Sequence, residues 1–154
     1  MSEDELGRLR FVASIFKMAM EEFSNVMGPE SIQTIFRLMG ERVGERVEKR
    51  MKKKFKIDKW TPEFFAEKFV KDVFEPAIGE GQVEIKINKN ELIVYIKICP
   101  FQKAGIDISN KFYCTYTEGL IETAARNALK NISFKSEHIK ATGEKNCVFK
   151  IQIT

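Results

Sequence analysis

Apolar positions in the first third of the chain recur in steps of three and four. Leu6, Leu9, Ala13, Phe16, Met20, Phe23 and Met27 keep that spacing, the period of one face of an α-helix. Gly28-Pro29 ends this first helix. Ile32, Ile35, Phe36, Met39, Val43, Val47, Met51 and Phe55 repeat the pattern and predict a second long helix from about Glu30 to Lys56. Gly40 and Gly44 lie one turn apart within it. Each glycine weakens a helix by about 1 kcal/mol, so the pair predicts close approach of another helix or of a ligand on that face.

Thr61-Pro62-Glu63 reads as an N-cap followed by proline at the first helical position. Phe64, Phe65, Phe69, Val70, Val73 and Phe74 then form an aromatic stripe, and Pro76 predicts the end of this third helix. Beyond Gly79-Glu80-Gly81 the period falls to two. Val83, Ile85 and Ile87 alternate with polar residues, Asn88-Lys89-Asn90-Glu91 turns, and Leu92, Val94, Ile96 and Ile98 alternate again. This β-hairpin closes at Cys99-Pro100, since proline cannot donate to the ladder.

Thr115 and Glu118 have capping-box spacing and predict the start of a fourth helix there, carrying Tyr116, Leu120, Ile121, Ala124, Ala128 and Leu129 and stopping at Asn131. A second hairpin follows, with strands at about Ser133–Ala141 and Cys147–Ile153. The element order predicts an α+β fold, a helical layer packed on one face of a roughly four-stranded antiparallel sheet. Residues 1–154 form a single domain in this reading, mainly helical over 1–78, with two β-hairpins flanking a long helix over 82–154.

Composition changes this picture little. A hydrophobic content of 44% supplies a proper core, and a net charge of +4 is too mild to name a partner. No apolar run approaches the roughly 20 residues of a membrane span. The N-terminus Met1-Ser2-Glu3-Asp4-Glu5 is acidic where a signal peptide would be basic and then apolar, so a cytoplasmic location is expected. The first helix is close to a seven-residue repeat, and two long helices exceed what a small sheet covers. Both features predict a homodimer built on the first helices.

Candidate chemistry gathers in the last third, where all three cysteines and the only histidine fall as Cys99, Cys114, His138 and Cys147. Four such donors are what one tetrahedral zinc ion requires. The odd cysteine count argues against a disulfide framework. Cys114 just precedes the capping box, where helix amides favour thiolate. Cys147 has the parity of Phe149 and Ile151, which turns it to the buried face, with His138 on the partner strand near the same end. No Cys-x-x-Cys pair exists, however, and spacing alone favours three buried thiols and a hydrogen-bonded histidine. The basic stretch 46–59 (Arg46, Lys49, Arg50, Lys52, Lys53, Lys54, Lys56, Lys59) is a legitimate footprint for nucleic acid. The apolar stripe Val43, Val47, Met51 and Phe55 runs through it, so the lysines read as the solvated face of a helix.

Three stretches carry a resemblance: Cys99-Pro100-Phe101, then Tyr113-Cys114 with Glu118-Gly119, then Gly143-Glu144-Lys145-Asn146-Cys147-Val148-Phe149. They resemble the vinyl-4-reductase domain family, small proteins and sensor domains described as hydrocarbon-binding. The resemblance implies an α+β fold shared with haem nitric-oxide sensors and Golgi transport-particle subunits, a pocket for a hydrophobic small molecule, and a cysteine-based zinc site. By position, Cys99, Cys114 and Cys147 match three of the family's cysteines. A further family cysteine falls at Ile139 here, which makes the adjacent His138 the candidate fourth zinc ligand and Glu137 the fallback. Four protein ligands leave no open position, the pattern of a structural metal. The leading expectation is therefore a hydrophobic-ligand-binding domain, sensor or carrier, with Phe65, Phe69, Phe101, Phe112 and Tyr116 as candidate pocket lining. The alternative is a reductase-type or zinc-dependent enzyme, for which the chain offers no G-x-G-x-x-G after a strand, no H-E-x-x-H and no second histidine.

Overall fold

Two helices of nearly equal length open the computed structural model, which describes residues 1–154. α1 (Glu3–Met27) starts on a capping box between Ser2 and Glu5 and ends at Gly28, whose φ of 83° lets the chain reverse at little steric cost. α2 (Pro29–Lys54) follows at once, with proline at its first position. α1 buries no residue, whereas α2 buries Ile32, Phe36, Val47 and Met51 along one side.

Thr61 caps α3 (Pro62–Phe69) by accepting from the Phe64 amide at 3.2 Å. Pro76 does not end this helical segment. A π-helical turn (Val70–Phe74) leads into α4 (Glu75–Ile78), and Gly79 is the actual stop. The Glu75 amide reaches back to the Val70 carbonyl across the widened turn, and this rearranged ladder accommodates the missing proline N–H.

The sheet comprises β1 (Val83–Asn88), β2 (Glu91–Ile96), β3 (Ile132–His138) and β4 (Cys147–Ile153), in the order β1-β2-β4-β3 with every neighbour antiparallel. A short α5 (Pro100–Lys103) and the long α6 (Phe112–Leu129) join the two hairpins. Leu92 and Val94 of β2 and Phe149 and Ile151 of β4 belong to one buried cluster with Phe65, Phe69, Ile121 and Ala124 from the helices. The expected α+β class, with helices over one face of a four-stranded antiparallel sheet, is the observed one. No helix is long and apolar enough to cross a membrane.

The capping box expected at Thr115 is not formed. α6 begins three residues earlier, after Lys111 in the left-handed region (φ 60°), and the Thr115 hydroxyl donates to the Phe112 and Gln33 carbonyls instead. Glu118 accepts from the Ser136 hydroxyl at 2.7 Å. The basic stretch is largely a solvated helix face. Lys49 pairs with Glu45 at 2.6 Å, Arg50 and Lys54 pair with Asp72, and Val47 and Met51 point inward.

Gly40 and Gly44 meet α6, one of the two partners expected for them. A Cβ on Gly40 would collide with the Tyr116 carbonyl; one on Gly44 would lie 2.6 Å from the Leu120 carbonyl, and one on Gly119 2.5 Å from the Arg37 carbonyl. The two helices therefore touch backbone to backbone. Gly44→Ala is expected to destabilise the protein by about 1–3 kcal/mol through overpacking. Gly7→Ala on α1, where an added Cβ meets nothing within 4 Å, should stabilise by up to about 1 kcal/mol. Thermal denaturation of both variants checks the contrast; equal shifts would contradict it.

Candidate functional site

At the end of the sheet where β2 runs out, the chain crosses from Ile96 through Ile98 to Cys99-Pro100-Phe101. Ile96 pairs with Cys147, the first residue of β4, so the two hairpins meet at this corner. The first turns of α6 bring Tyr113, Cys114, Tyr116 and Leu120 to it, Val43 comes from α2, and Val73 and Phe74 come from the π-helical turn. Together these elements line a half-open cavity of ≈ 240 Å³, in which 15 of 17 lining residues are hydrophobic. Thr117 adds little polarity, because its hydroxyl already donates to the Tyr113 carbonyl at 3.0 Å.

Cys99, Cys114 and Cys147 all lie in the cavity wall as free thiols. Burial, followed by the mutual effect of Cys147, Cys99 and Glu118, pushes the Cys114 thiol up to about 12. This reverses the thiolate expected at a helix start, because Cys114 sits inside the first turn among apolar side chains rather than ahead of it. Burial also raises the Cys147 thiol, against the opposing hydrogen bond from the Lys140 amide at 3.3 Å. Burial thus favours the neutral thiol at Cys114 and at Cys147.

The other expected donors lie elsewhere. β3 does carry an irregularity between Ser136 and His138, yet His138 is 53% exposed, with Nδ1 3.5 Å from the Glu144 carboxylate. Glu137 pairs with Lys135 at 2.9 Å and Lys150 at 3.8 Å. Neither residue lines the cavity. No group of three or more His, Cys, Asp or Glu side chains is placed to hold a metal ion. The donors present thus do not fit the closed zinc tetrahedron expected of Cys99, Cys114, His138 and Cys147: three thiols share a wall without converging, and the histidine is outside.

Of the expected lining, Phe101 and Tyr116 are in the cavity wall. Phe65 and Phe69 are instead sealed in the main core, stacked on each other at 5.0 Å, and Phe112 packs with Phe36 in a second cluster. Aromatic composition pointed to large rings, while the wall mixes aliphatic side chains with the rings of Phe74, Phe101, Tyr113, Tyr116 and Phe149 and three thiols. A better signal was the strand parity that faces Ile96 and Phe149 inward at the same corner as the Cys-Pro pair.

Residues 15–152 match the family described as methanogen output domain 1. The chain belongs to that family. The vinyl-4-reductase domain is thus not the family matched, but the fold relatives expected from it are found. This methanogen output domain is 15% identical to trafficking protein particle complex subunit 3 from Naegleria fowleri, solved covalently bound to palmitic acid, over 94% of this chain and 96% of that one, with a TM-score of 0.65. It is 16% identical to an H-NOX protein from S. oneidensis in the Fe(II)NO ligation state, over 88% of this chain and 71% of that one, with a TM-score of 0.57. For the H-NOX domain from Shewanella oneidensis in the Fe(II)CO ligation state the identity is 13%, the coverage 92% and 75%, and the TM-score 0.51. At these identities the likeness is one of fold. Among curated proteins none matches the chain.

The raised thiol gives a direct readout of the output domain's cavity. In the native protein at pH 8, iodoacetamide should modify Cys114 at least about ten-fold more slowly than an unhindered thiol. The rate should still be climbing at pH 10, because the ionising fraction grows up to about 12. Peptide mapping by mass spectrometry measures it; a plateau near pH 9 would contradict the assigned environment.

Proposed function

We propose that this domain binds a hydrophobic small molecule in the cavity beneath the π-helical turn and acts as a sensor or carrier of it. The cavity itself carries the reading. Its ≈ 240 Å³ exceeds the roughly 150 Å³ of an engineered apolar cavity that admits benzene and approaches the roughly 300 Å³ at which ligand pockets begin. A wall this apolar, with its few polar groups already engaged or neutral, favours an uncharged ligand such as a one- or two-ring aromatic or a short alkyl chain.

Two kinds of likeness support this. The resemblance to the hydrocarbon-binding vinyl-4-reductase domain rests on residues that line the cavity, notably Cys99, Phe101, Cys114 and Cys147. The fold neighbours are solved with palmitic acid on one and with nitric oxide or carbon monoxide ligation on the others. A second copy of the chain belongs to the proposal, because no residue of α1 is fully buried within its own fold.

Ala77, exposed in the cavity wall, provides the test. Titration with naphthalene, phenols and medium-chain alcohols should show binding to the unaltered protein, and Ala77→Trp should weaken it at least about ten-fold by filling the space with little change in melting temperature. Absence of binding by every compound at millimolar concentration would contradict the proposal. Zinc content per chain, measured on the same preparation, separates a further outcome: one zinc lost on Cys114→Ser would make the cavity wall a metal site instead.

A further inference from the structure

α1 presents two different sides. Met20 packs onto the cluster formed by Ile32, Phe36 and Phe112, and Lys17 and Ser24 border the loop at Asp107 on that same side. At 3.6 residues per turn the opposite side carries Arg8, Val12, Ile15, Ala19, Glu22 and Val26. These residues follow one another at steps of four, three, four, three and four, the spacing of a coiled-coil seam. Val12 is 61% exposed and Val26 81% exposed, and Phe11 and Phe23 flank the seam with more than half their surface in solvent.

The only charged positions in the seam are Arg8 and Glu22, opposite in sign and each seven residues from Ile15. Neither has an ion-pair partner within the chain; the acidic and basic side chains that do pair lie on α2, α3, the π-helical turn, α6 and the hairpins. We infer that α1 pairs with α1 of a second copy, antiparallel and centred on Ile15, so that Arg8 of each copy meets Glu22 of the other. A parallel pair would instead stack Arg8 on Arg8 and Glu22 on Glu22, which like-charge repulsion opposes. An isologous two-fold contact is the commonest form of self-association. The size is also suitable. α1 spans about 37 Å, and the exposed Phe11 and Phe23 alone offer on the order of 200 Å² of the roughly 800 Å² per partner in a standard interface.

The inference rests on the two-copy reading above, and charge reversal distinguishes the two claims. By sedimentation equilibrium at 150 mM salt the unaltered chain is expected to be dimeric at micromolar concentration. Arg8→Glu and Glu22→Arg should each raise the dimer dissociation constant at least ten-fold. Mixing the two single variants should restore association, since both cross-pairs are then of opposite sign. A dimer insensitive to either change would overturn the antiparallel register while sparing the dimer. A monomeric unaltered chain would overturn both, and weakening by the single changes without rescue on mixing would also overturn the register.

Discussion

Helix α6 lies against α2 with no side chain between the backbones at Gly40, Gly44 and Gly119, and the geometry of the apolar cavity follows from that contact. Close approach fixes where the opposite side of α6 meets the sheet. Over the C-terminal half of α6 the residues are small, with Ala124, Ala125 and Ala128 all buried, and Ile121 and Ala124 join Leu92 and Ile151 of the strands in one core cluster. Toward its start the residues become Tyr113, Cys114 and Tyr116, and here the space against Ile96 and Phe149 is only partly filled. Arg37 straps the crossing from the side by pairing with Glu41 at 2.8 Å and with Glu122 of α6. Its charged partners hold that guanidinium above its ordinary range despite burial, and keep the Glu122 carboxylate below its own.

The strand and helix pattern was legible because each period repeats over enough residues to exclude the alternative, as in Val83-Ile85-Ile87 against Leu92-Val94-Ile96. Gly40 and Gly44 were legible for a physical reason too: a pair of helix-weakening residues needs a contact to justify it. What pattern alone did not reveal depends on tertiary contact. Pro76 looks like a stop, yet a π-helical turn just upstream carries the helix two residues further. Thr115 and Glu118 have cap spacing, but each has a stronger partner across the fold, in Gln33 and Ser136. The seam on α1 was hidden behind the more regular stripe through Met20, of which Met20 packs on the chain's own second cluster.

The candidate site was partly legible for the same reason. Strand parity turns Cys147 toward the buried face, and Cys99, Cys114 and Cys147 all line one cavity. His138 was misjudged: it falls beyond the irregularity in β3, on the solvent side with Glu144. The thiols that remain are neutral groups in an apolar wall, and this makes the corner suitable for an uncharged guest. In a low-dielectric setting, ionising Cys114 or Cys147 costs free energy, and neighbouring sulfurs and Glu118 increase that cost.

The most direct measurement is the set of intermolecular nuclear Overhauser contacts from bound naphthalene to methyl-labelled protein. The account predicts contacts to Val43, Ile96 and Leu120, which line the cavity, and none to Val12, Ile15 or Val26. Contacts confined to α1, where apolar side chains are exposed to solvent, would mean that the ligand merely adheres to an open helix face and would contradict the cavity as the binding site.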